Sequence, residues 1–166
     1  MIEKEKQQVL SIFDEAIYKV SHKLLRIELR KMTDANGWKP DETKEYYRGV
    51  IHMHGYLNAT LIYYFPEELY DYIVRTMNCG SLPSEDERQL YIGEFINITC
   101  GHKNSYEKNC GHAISRLNDM LGKSTRITVP HLYARSDILE EIPEENRMVL
   151  PYQSEKGVLH VIACSD

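Results

Sequence analysis

The sequence predicts an α+β fold in which a mainly antiparallel sheet packs with two long helices and one or two shorter ones. Three observations support this prediction. The hydrophobic spacing is helical near the start of the chain and again in its middle. Two pairs of short β-branched and aromatic runs are joined by turn-forming segments, as in hairpins. The elements do not alternate as strand–helix–strand units, and this favours antiparallel over parallel strands.

The first predicted element is a helix over roughly residues 5–30, where apolar side chains recur every three or four positions between charged ones. Thr33 to Lys44 breaks this spacing with Asp-Ala-Asn-Gly and Lys-Pro-Asp, so it is a predicted loop. A strand pair follows at about Tyr47–His54 and Thr60–Phe65, with Gly55 to Asn58 in the reversal.

Two helices are predicted next. The first covers about residues 66–77 and begins at Pro66-Glu67-Glu68, because proline lacks an amide hydrogen and carboxylates favour the positive end of a helix. Asn78-Cys79-Gly80 ends it. The second begins at Ser84 and Glu87, which are spaced as a capping box. It extends through Glu94 and Asn97 to at least Gly101.

The rest of the chain predicts a shorter helix over about 112–121, which ends at Gly122. Three short strands are predicted, at Arg126–Val129, Arg147–Leu150 and Val158–Ala163. The last two flank Gln153 to Gly157 and form a predicted hairpin. Pro130 to Glu145 is expected to be a loop or an irregular edge.

Composition predicts one globular domain over residues 1–166. The net charge of −5 and the lack of a Lys/Arg block argue against binding to nucleic acid or anionic membranes. No apolar run approaches the roughly 18 residues that span a bilayer, and the charged start lacks a signal-peptide core. The four cysteines form no Cys-x-x-Cys pair, so reduced thiols are expected. We therefore expect a cytoplasmic protein.

The most informative stretch is Glu94-Phe95-Ile96-Asn97, followed by Gly101. A carboxylate and a carboxamide three residues apart share one helix face, with Cβ atoms about 5–6 Å apart. Gly101 falls near the same face and would leave room there for another backbone or a partner. Such a surface suits docking and the positioning of a small molecule such as water, and it does not suit self-contained covalent chemistry. From spacing alone, a solvated polar face is the simpler interpretation.

Other polar residues permit a metal or small-molecule sensor. Cys100-Gly-His102 and Cys110-Gly-His112 carry the ligand types that zinc favours, but their ten-residue separation is not that of a zinc knuckle. A buried thiol or a loop histidine is the simpler interpretation. His52 and His54 alternate on a strand and so face the same way, as a metal clip or as a polar sheet face.

Aromatic residues are explained by packing. The chain has twelve tyrosines, and Tyr63, Tyr64, Tyr70 and Tyr72 are predicted to pack between sheet and helix rather than to line a ligand pocket. Trp38, beside Pro40, either caps the edge of the core or meets a partner.

Five segments, together with the first helix, carry a family resemblance that covers nearly the whole chain. They are Gly49–Gly55, Leu61–Glu68, Glu94-x-x-Asn97-x-x-x-Gly101, Thr128-Val-Pro130 and the closing hairpin of Met148–Tyr152 with Gly157–Ala163. In this order they resemble the CheC/CheX-type chemotaxis phosphatase family, and most closely its single-motif CheX branch. Glu15 is followed at the same spacing by Tyr18, so the first helix holds no second Glu-x-x-Asn, which fits that branch. The stretch from Gly101 to Pro130 is longer than in the family, as if Asn104–Asn109 were inserted.

The resemblance implies a phosphatase that removes the aspartyl phosphate from a CheY-like response regulator. It implies that Asn97 orients the attacking water and that Glu94 pairs with a lysine of the regulator. It implies no cofactor in this chain, Mg²⁺ on the partner regulator, and a homodimer joined through sheet edges. The alternative is a non-catalytic CheX-like module that binds a receiver domain or another signalling partner.

Overall fold

A computed structural model describes residues 3–33, 37–41, 43–101, 112–134 and 147–165. Its helices are α1 (Glu3–Val20), α2 (Glu67–Met77), α3 (Glu85–Cys100) and α4 (Ala113–Leu121), with a π-helical turn at Ser21–Leu25. Its strands are β1 (Arg30–Lys31), β2 (Tyr46–Gly55), β3 (Ala59–Pro66), β4 (Thr125–Ile127), β5 (His131–Tyr133), β6 (Arg147–Ser154) and β7 (Gly157–Ser165).

The strands form one seven-stranded sheet in the order β1-β6-β7-β3-β2-β4, and β5 also pairs with β2. All of these pairings are antiparallel. Two long helices and two shorter ones accompany the sheet, so the predicted α+β fold class is confirmed. Within the described ranges, none of the helices is both long and apolar enough to cross a membrane.

Successive side chains of a strand point to opposite sides of the sheet. Both sides carry buried side chains, and the hydrophobic cluster on one side is larger than the cluster on the other. On β2, Tyr47, Ile51 and Met53 join the main core with the helices. Their neighbour Val50 points the other way, into a smaller cluster. Trp38 packs on this second face, with its ring centroid 3.7 Å from that of His160, so it caps the sheet. Of the four tyrosines predicted to pack, Tyr63 and Tyr70 are buried in the main core and Tyr64 in the small cluster, while Tyr72 is partly buried against the main core.

The first helix is shorter than predicted, because α1 ends at Val20 and the π-helical turn ends at the left-handed residue Arg26. From the last residue of this turn onward, Leu25, Ile27 and Leu29 are buried at alternate positions, which is the period of an extended chain. The Ser21 hydroxyl accepts the Leu29 amide at 3.1 Å and fixes this return. The sequence pattern places Leu25, Ile27 and Leu29 in a helix that reaches about residue 30. In the structure these residues lead into β1 instead.

The edge strand near Pro130 also differs from the prediction of one strand over Arg126–Val129. The Thr128 amide donates to the His52 carbonyl at 3.0 Å, and His131 pairs with Val50. Val129 and Pro130 thus lie opposite the single residue Ile51, which is a β-bulge. Proline cannot donate to the ladder, so this edge splits into β4 and β5.

The remaining boundaries agree with the sequence to within a few residues. The first hairpin, α2, α4 and the closing hairpin are all present, and Gly122 ends α4 in a left-handed conformation. Ser84 precedes α3, but the predicted capping box is wrong, because its side chain makes no cap hydrogen bond. Its carbonyl instead accepts the amides of Glu87 and Arg88 at 3.0 and 3.1 Å.

Candidate functional site

Helix α3 has one face in the core and one in water. Its buried residues recur at positions i, i+3, i+4, i+7 and i+8, and they are Ile92, Phe95, Ile96, Thr99 and Cys100. This spacing fixes the rotation of the helix, because it lines a single stripe. Glu94 and Asn97 lie outside that stripe, and both are exposed.

Glu94 and Asn97 are one turn apart on the exposed face, so their Cβ atoms are about 5–6 Å apart. Neither side chain makes a hydrogen bond or an ion pair with any other residue in the described part of the chain. The pair therefore offers a carboxylate with two acceptor oxygens and an amide that both donates and accepts.

Gly101 lies against the backbone of its own chain. It is buried, and its amide donates to the Asn97 carbonyl at 2.8 Å. A Cβ added at Gly101 would lie 2.6 Å from that same carbonyl oxygen. The missing side chain leaves room for the chain's own backbone beneath Asn97, which agrees with the first of the two alternatives predicted for this glycine, another backbone or a partner.

Helix α3 and the glycine that follows it approach the edge of the sheet at two points. A Cβ added at Gly93 would be 3.5 Å from Leu132 of β5, and one at Gly101 would be 3.5 Å from Ile127 of β4. Along the chain, Asn97 is midway between Gly93 and Gly101. The Val129–Pro130 bulge likewise lies between Ile127 and Leu132. The bulge therefore runs beside the turn of α3 that carries Asn97.

Glycine also permits the close packing of α3 on β2. The side chain of Ile96 occupies the space where Gly49 lacks one, because a Cβ there would be 2.5 Å from Ile96 Cδ1. Nearer the start of the helix, the Tyr91 hydroxyl donates to Asn78 Oδ1 at 2.7 Å and links α3 to the end of α2. These contacts hold the exposed pair on a fixed support.

The first half of α3 adds negative charge to this face. Glu85, Asp86 and Glu87 form its acidic first turn, and all three are exposed. The Arg88 guanidinium donates to the Pro83 carbonyl at 2.8 Å. Acidic residues in a first turn stabilise the helix dipole by themselves. Asp86 and Glu87, together with Glu94, also leave the exposed face of α3 predominantly acidic.

Sequence reasoning missed Leu90, which lies one turn before Glu94 and is 72 % exposed. The signal was present in the sequence. Leu90 is an apolar residue on the face that the buried stripe of α3 assigns to water.

The histidines and cysteines within the described ranges form no metal-binding group. His52 and His54 are exposed on one sheet face as predicted, and His52 Nδ1 lies 2.9 Å from the Thr60 hydroxyl. Cys100 is fully buried, and burial raises the pKa of its thiol to about 12. Among the described residues no group of three or more side chains could hold a metal ion. His102, Cys110 and the predicted insertion Asn104–Asn109 lie outside the described residues.

The first helix uses its carboxylate in packing. Glu15 forms ion pairs with Arg116 of α4 at 2.6 Å and with Lys19 at 2.5 Å. Its hydrogen bond with Arg116 is the largest cause of a lowered pKa of Glu15. This carboxylate is engaged between α1 and α4, whereas Glu94 makes no contact of this kind.

Comparison with models of known families and with curated protein sequences finds no match. Solved structures do match. The chemotaxis protein CheX from Desulfovibrio desulfuricans has a TM-score of 0.73 and 16 % identity, covering 96 % of this chain and 99 % of that one. CheX from Vibrio vulnificus has a TM-score of 0.72 and 19 % identity, with the same coverage of both chains.

A third similar structure is a CheX–CheY–BeF3–Mg²⁺ complex from Borrelia burgdorferi, with a TM-score of 0.62 and 13 % identity. The match covers 94 % of this chain and 96 % of that one. CheC-like proteins are also among the similar structures. The resemblance predicted from the sequence is therefore confirmed in three dimensions, and the chain has the fold of the CheX and CheC-like chemotaxis proteins.

Proposed function

We propose that this chain is a phosphatase that hydrolyses the aspartyl phosphate of a CheY-like receiver domain in chemotaxis or a related two-component pathway. One observation carries the proposal. Glu94 and Asn97 stand side by side on the exposed face of α3, without partners among the described residues, while the opposite face of the helix is anchored in the core. The similarity to a CheX structure in complex with CheY supports the choice of partner.

Asn97 would orient the water that attacks phosphorus. Phosphoryl transfer proceeds through a loose transition state, so a catalyst acts mainly by placing the nucleophile in line and by stabilising charge. A side-chain amide can donate to and accept from one water, which fixes the orientation of that water without adding charge. The water oxygen bonds to phosphorus, the bond to the receiver aspartate breaks, and phosphate and a free carboxylate are the products.

Glu94 would bind a lysine of the receiver. A carboxylate placed against the phosphoryl oxygens would repel them, so it is better used on a cation of the partner. A charge-assisted hydrogen bond to lysine is directional and holds the two proteins in register. In this proposal Mg²⁺ would be held by the receiver, where it would offset phosphoryl charge, and this chain would contribute the Asn97 and Glu94 side chains to the reaction. A homodimer through sheet edges remains part of the proposal.

The test is stimulated phosphate release from phosphorylated receiver domains. Positioning of water is worth a few kcal/mol, so Asn97→Ala should lower turnover by about 100-fold or more. Its affinity for a beryllofluoride-activated receiver should stay within about threefold of wild type. Glu94→Ala should weaken that affinity.

Gln89→Ala is the matched control, because it removes an amide from the same helix two turns earlier. It should retain wild-type turnover. Unchanged turnover in Asn97→Ala would refute the assigned role of this residue. Activation-dependent binding by the wild-type protein without any hydrolysis would identify a non-catalytic binding module instead.

A further inference from the structure

The two most exposed large hydrophobic side chains in the described residues both lie beside the Glu94–Asn97 pair. Val129 is 86 % exposed and Leu90 is 72 % exposed. The other exposed large hydrophobic residues reach at most 49 %, and they are Leu24, Met32 and Met120. Single exposed hydrophobic residues are ordinary on protein surfaces. Two that flank the same polar pair require an explanation.

Leu90 lies four residues before Glu94, so the two side chains are neighbours on the helix surface, with Cβ atoms about 6 Å apart. It takes no part in the packing of α3, because the buried stripe runs along the opposite side of the helix. Its side chain adds nothing to the core and is available to a partner.

Val129 approaches the pair from the sheet. It lies in the bulge opposite Ile51. The nearness of Gly93 to Leu132 and of Gly101 to Ile127 places that bulge beside the Asn97 turn. Bulges redirect side chains at sheet edges, and this one projects Val129 into water. Leu90 therefore lies on one side of the polar pair, along the helix, and Val129 on the other.

The charges around Leu90 define the partner. Asp86, Glu87 and Glu94 are exposed and lie three or four residues from Leu90, so acidic groups surround it on the helix surface. A protein that covers this surface must present basic groups around an apolar contact, since like charges brought together would oppose binding.

We infer that Leu90 and Val129 are the apolar contacts of the docking surface, and that its occupant is the activated receiver domain, which meets it with a basic surface around an apolar patch. This inference rests on the proposed function for the identity of the partner. The two side chains carry no polar group, so they contribute to affinity and leave the chemical step to Asn97 and Glu94.

The experiment measures the dissociation constant for beryllofluoride-activated receivers by calorimetry, together with turnover of the phosphorylated forms. Leu90→Ala and Val129→Ala should each weaken binding by roughly tenfold, the effect expected from losing a buried aliphatic contact. The turnover number at saturating receiver should stay within about twofold of wild type. Leu24→Ala is the control, because it truncates an exposed leucine on the π-helical turn, and it should bind as wild type.

The outcomes separate the two proposals. If both variants bind as wild type while Asn97→Ala has lost turnover, the docking inference is overturned and the phosphatase stands. If Leu90→Ala and Val129→Ala weaken binding but the wild-type protein releases no phosphate, the docking surface stands and the phosphatase is overturned. Absence of binding and of hydrolysis across a receiver panel would overturn both.

Discussion

At the scale of single residues, the chain combines free and engaged polar groups of the same type. Glu94 has no ion pair among the described residues, whereas Glu15 is held by Arg116 and Lys19. The two carboxylates therefore have different surroundings, although each lies on a helix of the same fold. Exposure and lack of a side-chain partner among the described residues, rather than residue type, distinguish Glu94 from Glu15.

His160 provides a residue-scale prediction about pH. Burial lowers its pKa to about 4, and its Nδ1 is buried without a hydrogen-bond partner among the described residues. The pKa of an unfolded histidine is about 6.5, so protonation favours the unfolded chain. The stabilisation is complete above pH 6.5 and is lost as the pH falls toward 4. Between pH 7 and pH 5 the free energy of unfolding should drop by on the order of 1 kcal/mol, because the ring is only partly buried and solvent weakens the effect.

Two measurements check this prediction. Urea denaturation at both pH values should give a smaller drop for His160→Phe than for wild type. Trp38 is the only tryptophan and stacks on the His160 ring, so its fluorescence should titrate with a midpoint near 4. A midpoint near 6.5 would contradict the buried environment of His160.

At the scale of elements, two glycines on α3 should respond to alanine in opposite ways. At Gly93 an added Cβ would make an ordinary contact of 3.5 Å with Leu132. Gly93→Ala should therefore stabilise the protein by about 0.5–1 kcal/mol through helix propensity. At Gly101 the Cβ would lie 2.6 Å from the Asn97 carbonyl oxygen, so Gly101→Ala should destabilise by about 1–3 kcal/mol.

Thermal or urea unfolding measures both effects. Gly37→Ala is the control, because a Cβ there meets nothing within 4 Å. Destabilisation by Gly93→Ala together with tolerance of Gly101→Ala would contradict the room beside Gly93 and the close approach of Gly101 to the Asn97 carbonyl.

Elements with a strong period or clear end signals were predictable from the sequence. The helix carrying Glu94 and Asn97 was predictable because its buried stripe repeats twice, and both hairpins were marked by their turns. The end of α1 was not predictable from the sequence, because the spacing of Leu25, Ile27 and Leu29 fits both a helical and an extended period. Only their tertiary partners decide between the two. The β4–β5 bulge was missed because it depends on pairing with β2. Leu90 was missed although its position outside the buried stripe of α3 already marked it as exposed.

At the scale of the whole molecule, charge should govern the encounter with the receiver. The chain carries a net charge of −5, and acidic groups are concentrated on the exposed face of α3. Raising ionic strength from about 0.05 M to about 0.5 M shortens the screening length, so the association rate should fall by about tenfold. Turnover at saturating receiver should change by less than about twofold.

Stopped-flow binding at several salt concentrations measures this rate. The double variant Asp86→Asn/Glu87→Gln should give a shallower dependence on salt, because it removes two of the acidic groups near Leu90. An association rate that does not change with salt would contradict electrostatic steering by this face. The homodimer implied by the resemblance stays a prediction, which light scattering of the purified protein would check.

The Val129–Pro130 bulge has a consequence for self-association. It divides the outer edge beside β2 into two runs of three residues each, and proline offers no amide hydrogen between them. Strands of other molecules add to a sheet and grow into fibrils most readily at a long, flat edge strand. The edge formed by β4 and β5 is short and interrupted. The bulge that turns Val129 outward therefore also protects the protein against aggregation along this edge of the sheet.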